Sequence, residues 1–322
     1  MELLDKLLNN VIKHPDQGYA LYYYHNGETI EQTNGVLSNI DSADISFNSN
    51  FRLASVSKQF IAFGITDLVL KGLLSFDTTI KTIYFELPDY FKDITVLNLL
   101  NHTSGIYDYE DMPHNDDDPQ LKDDDVFEFL KSTTDTYFKV GTKYRYSNTA
   151  YILLGLIIKT ISGQSIGDYL KQNVFEKAGM TNTVVNYQGE TEILNRAYGH
   201  LLINNELIVK DQYWCSATIG DGGIYSSIND LKKWALYLVN SLHFTYMSKP
   251  NYLDPLEYNN YGLGLRIINH NDRDIIYHCG DTIGTNTLLL FSQKLNLILI
   301  FLTNLGGIDT EVVKNNLLET LK

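Results

Sequence analysis

Strand-like segments stand at both ends of this chain with a long helical stretch between them, and that order restricts the fold more than any other feature. Residues 19–24 and 29–36 flank His25-Asn26-Gly27-Glu28, whose Asn-Gly pair is a strong hairpin signal. Far along the chain, residues 274–277, 286–291 and 295–302 are strand-like again, and 309–321 closes as a helix. Between these ends the apolar periodicity predicts helices over 60–70 and near 96–100, 126–131, 150–161, 166–174 and 231–239. Residues 1–13 place Leu3, Leu4, Leu7, Leu8, Val11 and Ile12 on one face of a further helix. One arrangement satisfies this order: an antiparallel sheet built from both chain ends, helices on its faces, and a helical insertion between. The expected class is α+β in a single domain. Residues 1–60 and about 200–322 supply the sheet part, about 61–199 supply the mostly helical part, and the cleft between them is the expected site.

Composition narrows the partners. With 25 basic and 39 acidic residues the formal charge is −14, which argues against nucleic acid or an anionic membrane. Two cysteines, Cys215 and Cys279, are too few for a disulfide framework and read as reduced thiols. The opening Met1-Glu2-Leu3-Leu4-Asp5-Lys6 reads as a helix start rather than an export signal, and apolar runs such as 295–302 are too short to span a bilayer. The expectation is a soluble, cytoplasmic protein acting on a small molecule or short peptide. Residues 107–125 carry nine acids against one lysine and read as a solvated loop. Their spacing matches no calcium loop, so no metal is expected there, and the chemistry read below calls for no organic cofactor.

The chemistry centres on Ser55-Val56-Ser57-Lys58, at the head of the apolar helix over 60–70. A serine three residues before a lysine on a helix lies one turn below it, where the side chains can meet. An adjacent amine that accepts its proton turns a weak hydroxyl nucleophile into a reactive one. Tyr146-Ser147-Asn148 lies in a polar loop that runs into a long apolar helix, so it can present a tyrosine and an amide to a cleft. His278-Cys279-Gly280 lies on a strand, whose alternation puts His278 and Gly280 on one side and Cys279 on the other.

In that order, S-x-x-K, Y-x-N and H-x-G resemble the serine β-lactamase and penicillin-binding protein superfamily. The branch it looks most like holds class C β-lactamases, D-alanyl-D-alanine carboxypeptidases, D-aminopeptidases and related esterases. The likeness extends through Phe51-Arg52-Leu53-Ala54-Ser55, Leu99-Leu100-Asn101-His102-Thr103-Ser104-Gly105 and Ala178-Gly179-Met180-Thr181-Asn182-Thr183. It continues through Gly220-Asp221-Gly222-Gly223 with Asp230, Leu231 and Trp234, and through Thr303-Asn304. The resemblance implies a β-lactamase/transpeptidase-like fold and an acyl-enzyme on Ser55. It implies that Lys58, with a depressed pKa, shares the general-base role with Tyr146, and that Asn148 bonds Lys58 or a substrate amide. The backbone N–H groups of Ser55 and Asp281 would form the oxyanion hole. Gly280 would admit substrate close to its strand, and His278 replaces the lysine of most β-lactamases. His102 is expected to tie a loop beside the site, and Met180 and Trp234 to be core.

No glutamate is identified as an activator of a deacylating water, and His278 is a poor anchor for a substrate carboxylate. With Asp281 beside it, the expected preference is for neutral or cationic acyl groups: esters, amides or N-terminal D-amino-acid peptides. The competing class is a non-catalytic, penicillin-binding-like module that senses or binds a peptide.

Overall fold

The computed structural model of the protein describes residues 2–39, 42–115, 118–254 and 257–321. In chain order the helices are α1 (Glu2–Leu7), α2 (Lys58–Leu70), α3 (Ile80–Ile83), α4 (Val96–Leu100), α5 (Asp123–Ser132), α6 (Asn148–Ser162), α7 (Ile166–Leu170), α8 (Glu176–Ala178), α9 (Ile228–Val239), α10 (Phe244–Met247) and α11 (Thr310–Thr320). The strands are β1 (Tyr19–His25), β2 (Glu28–Asn34), β3 (Phe51–Arg52), β4 (Val184–Val185), β5 (His200–Ile203), β6 (Glu206–Val209), β7 (Ile224–Ser226), β8 (Asn251–Asp254), β9 (Glu257–Asn259), β10 (Arg266–His270), β11 (Arg273–Thr282), β12 (Thr285–Ser292) and β13 (Leu297–Thr303).

Asn26 (φ 50°) and Gly27 (φ 93°) both take left-handed backbone, which is what a tight two-residue hairpin turn requires. They join β1 to β2. On its other edge β1 pairs antiparallel with β13, Tyr22 facing Ile300, so the two ends of the chain meet in mid-sheet. The full order is β10-β11-β12-β13-β1-β2, an α+β fold with the sheet assembled from both ends as the sequence implies. Both sheet faces are buried. Along β13, Leu297, Leu299 and Phe301 pack with Leu7 of α1 and Val313 and Leu317 of α11. Ile298, Ile300 and Leu302 join the larger core with Phe60 and Phe63 of α2 and Leu231 and Trp234 of α9.

Helix α2 runs through that larger core with every residue from Lys58 to Leu68 buried. A helix buried all round carries apolar residues all round, and here it also carries a lysine. Trp234 and Met180 are core as expected: the Trp234 Nε1–H donates to Gln59 Oε1 at 3.0 Å, and its ring lies 4.5 Å from Phe60. Both cysteines are free, and burial pushes the Cys215 thiol up to about 11 and the Cys279 thiol up to about 12. Among the described residues no single helix is long and apolar enough to cross a membrane.

Several elements differ from the sequence reading. Helix α1 stops at Leu7, and Asn10 turns the chain with φ 62°, although Val11 still buries. A three-stranded sheet β3-β7-β4 and the hairpins β5-β6 and β8-β9 were not foreseen, nor was β10. Strands of two to five residues leave almost no periodic pattern to read.

Leu299→Ala and Ile300→Ala truncate adjacent side chains on opposite faces of β13. Each should destabilise the protein by about 2–5 kcal/mol in equilibrium denaturation. A loss confined to one of them would mean that only one sheet face is packed.

Candidate active site

The chain leaves β3 and turns through Ala54 at φ 47°, a left-handed conformation that a side chain disfavours. It continues as a 3₁₀ turn, Ala54–Ser57, that presents Ser55 at the head of α2. Neighbouring segments hold this turn in place. The Leu53 N–H donates to the Ile224 carbonyl at 2.8 Å, and Thr287 Oγ1 donates to the Leu53 carbonyl at 2.8 Å. A Cβ on Gly280 would lie 2.1 Å from that same Leu53 oxygen and 3.2 Å from Ala54 Cβ. The missing side chain of Gly280 thus makes room for the Ala54–Ser57 turn, and Gly280 also lines the cleft beside Ser55.

Lys58, wholly buried, reaches back from the first position of α2. Its Nζ donates to Asn148 Oδ1 and to the Asp221 carbonyl, each at 2.7 Å, and lies 3.1 Å from Ser55 Oγ. The two carbonyl oxygens take two N–H groups and leave a third tetrahedral direction aimed at Ser55. There an ammonium donates to the hydroxyl, and a neutral amine accepts its proton. Asn148 is therefore placed by the structure against the lysine.

Tyr146 and Asn148 are positioned by the capped start of α6. Ser147 Oγ accepts the Ala150 N–H at 3.1 Å, and Asp108 Oδ2 accepts the Asn148 N–H at 2.7 Å. His102 ties the preceding loop as expected, with Nδ1 accepting the Ser147 N–H at 3.1 Å and its carbonyl accepting the Arg145 N–H at 3.0 Å. Its ring lies 4.4 Å from that of Tyr146. Among the described residues Tyr146 Oη, though buried, has no hydrogen-bond partner, and Lys58 Nζ lies 5.0 Å from the ring centre. The lysine and tyrosine thus meet through the ring face, and the hydroxyl is left for whatever enters the cleft.

His278 is seated deeper than a substrate ligand. Its Nδ1–H donates to the Cys279 carbonyl at 2.7 Å, which leaves Nε2 to accept the Tyr261 hydroxyl at 3.1 Å. Both nitrogens are engaged within the protein, and His278 forms part of the cleft wall. Burial, with Arg266 and Lys58 nearby, holds His278 well below the ordinary imidazole range, and burial beside Lys58 does the same for His102. Strand β10 covers β11 only as far as Tyr277, paired with Arg266. From His278 to Thr282 that edge is free of β10, and the nucleophile turn packs against it through Gly280. Asp281 is exposed there, its Oδ1 accepting from Asn286 Nδ2 at 2.8 Å.

These groups line one cleft of about 530 Å³, with Ser55, Glu110, Tyr146, Asn148, Arg266 and Asp281 on its walls. Glu110, Arg266 and Asp221 are the participants that sequence reasoning missed. Glu110 opens onto the cleft, yet its carboxyl is pushed up to about 7, first by lost hydration and then by Asp221 and Asp108, against the pull of Lys58. Arg266 lies half-buried between tyrosines, 5.6 Å from the centre of the Tyr146 ring, with no carboxylate at ion-pair distance among the described residues. The one available signal was the acidic segment itself. Asp111, Asp118, Asp124 and Asp125 are solvated as expected, although the last two lie in the first turn of α5 and not in a loop, whereas Asp108 and Asp123 are buried. Asp116 and Asp117 lie outside the described residues. Asp123 accepts the Ile219 N–H at 2.7 Å and the Gly220 N–H at 3.2 Å. Burial pushes it up to about 7 in spite of those bonds.

A serine beside a buried lysine on a core helix is thus faced by a tyrosine and an amide at the head of a second helix and by a sheet edge. The family model described as Beta-lactamase matches residues 8–321, and the chain belongs to that family. It is 29% identical over 309 residues to a penicillin-binding protein of Bacillus subtilis (strain 168), covering 89% of this chain and 66% of that protein. The chain thus spans just under two thirds of the length of that relative. Its fold is similar to that of a penicillin binding protein from Bacillus halodurans (TM-score 0.83, 23% identity, 99% of this chain and 100% of that one). It is also similar to D-amino acid amidase from Ochrobactrum anthropi SV3 (TM-score 0.79, 22% identity, all of both chains).

His102 and His278 should stay neutral while exposed histidines titrate between about pH 5 and 8, as read from imidazole resonances by NMR. In the unfolded chain both titrate near the ordinary 6.5. Their contribution to stability is therefore complete above that pH and lost as the pH falls below it. Ordinary titration of either ring would contradict the burial described.

Proposed function

We propose that the protein is a serine hydrolase that opens amide or ester bonds through an acyl-enzyme on Ser55, nearer to a peptidase or esterase than to an efficient β-lactamase. The observation that carries this reading is Lys58 Nζ, fixed by two carbonyl oxygens and directed at Ser55 Oγ from 3.1 Å. Ser55 Oγ attacks the acyl carbon and its proton passes to the Lys58 amine. The N–H groups of Ser55 and Asp281 hold the oxyanion, where one donor is worth roughly 3–4 kcal/mol. Lys58 then returns the proton to the leaving group as that group departs from the acyl carbon, and Tyr146 Oη, without a partner among the described residues, is available to hydrogen-bond it. Asn148 acts by fixing the lysine, and water then releases the acyl group from Ser55.

Glu110 supports acyl groups that carry an ammonium. A carboxylate repelled by Asp108 and Asp221 gains most from an incoming cation, and a D-amino acid amidase shares this fold. Arg266 favours a second reading, substrates with a carboxylate at their far end, for which an unpaired guanidinium is the natural partner.

Intact-mass analysis after exposure to a fluorophosphonate and to a penicillin tests the acyl-enzyme, with Ser55→Ala as control. One adduct on the wild type and none on the variant is expected, while no adduct with either reagent would favour a binding module. Turnover of a D-aminoacyl anilide, a neutral nitrophenyl ester and a cephalosporin ranks the acyl groups, and fastest turnover of the cephalosporin would overturn the ammonium preference. Glu110→Gln should raise KM for the anilide about tenfold and leave the ester nearly unchanged. In the wild type the anilide KM should rise as the pH falls through about 7, where Glu110 takes up its proton.

A further inference from the structure

The two carbonyl groups that hold Lys58 are themselves held by buried carboxylates. Asn148 begins α6, and its N–H donates to Asp108 Oδ2 at 2.7 Å, with the Thr149 N–H 3.4 Å from the same oxygen. Asp221 follows two residues whose N–H groups, those of Ile219 and Gly220, donate to Asp123 Oδ1 and Oδ2 at 2.7 and 3.2 Å. Tyr109 bridges the two supports, its N–H donating to Thr149 Oγ1 at 2.8 Å and its hydroxyl to Asp221 Oδ2 at 2.9 Å. The turn has no freedom to shift: a Cβ on Gly220 would lie 2.4 Å from the Tyr151 carbonyl oxygen and 2.6 Å from Ile152 Cα. A buried carboxylate is tolerated only when it is hydrogen-bonded, and both of these direct their bonds at the backbone beside a Lys58 acceptor.

We propose that Asp108 and Asp123 are positioning residues for the amine of Lys58: Asp108 fixes the Asn148 side, Asp123 fixes the Asp221 carbonyl, and together they direct Nζ at Ser55. The acidic segment is then a clamp on the general base. The proposal rests on the reading of Ser55 and Lys58 as nucleophile and base.

The test measures the rate of Ser55 labelling by a fluorophosphonate in Asp108→Asn and Asp123→Asn, with exposed Asp124→Asn as control. The same substitutions are repeated in a Lys58→Ala background. Each clamp variant should label about ten- to a hundredfold more slowly than wild type, and the control should match wild type. In the Lys58→Ala background the clamp substitutions should add no further loss, because they act through the missing amine. Losses that multiply in that background, or clamp variants that label at the wild-type rate, would overturn the proposal. Thermal melts on every variant separate loss of folding from loss of reactivity. A second readout needs no catalysis: the NMR resonance of Lys58 Cε should move in each clamp variant and stay in place in Asp124→Asn, and an unmoved resonance in the clamp variants would refute the clamp. Absence of labelling in the wild type would instead refute the reading of Ser55, with the Lys58 resonance still deciding the clamp.

Discussion

An amine sealed from water governs this molecule. Lys58 is buried on a helix that is buried all round, and such a group persists only where protein replaces the solvent it has lost. Three segments far apart in sequence supply the replacement: the nucleophile turn through Ser55, the head of α6 through Asn148, and the glycine-rich turn through Asp221. Their relative placement cannot drift without leaving the amine unsatisfied. The same three bonds that make the lysine tolerable therefore also align it with the serine.

Charge around that amine is unevenly spread. Asp108, Glu110 and Asp221 lie on the helical side of the cleft, and Arg266 stands across from them on the sheet side beside two neutral histidines. A proton that moves from Ser55 onto Lys58 creates an ammonium next to carboxylates, which is the favourable direction for the transfer. The same cleft is also lined by Asp281, Asp309 and Glu311, so Arg266 is the basic group in a mostly acidic lining.

What could be read from the sequence follows from what is local. Ser55 and Lys58 are a helix turn apart, Tyr146 and Asn148 share a loop, and His278 and Gly280 share a strand, so short patterns exposed all six. The sheet was equally legible, because β1, β12 and β13 are long runs bounded by turns. Asp221 escaped because it offers Lys58 a backbone oxygen, which no residue type encodes. Glu110 and Arg266 escaped because each matters only through what folding sets opposite it. For His278 and Gly280 the pattern gave the residues but not their partners, Tyr261 and Leu53, which come from other segments. Within the acidic run, nothing in composition separates the buried Asp108 and Asp123 from the exposed Asp111 and Asp124.

The pairing of β1 with β13 has a consequence in time. Until residues 297–303 have been synthesised, β1 has only β2 beside it, and a two-stranded hairpin is marginal in water. Contacts between such distant parts of a chain also form slowly, because the intervening loop must close first. The sheet edge that faces Ser55 belongs to the same late-made segment. The cleft around Ser55 is thus among the last features this chain completes as it is made, and a nascent or shortened product would carry the serine without the sheet edge packed beside it.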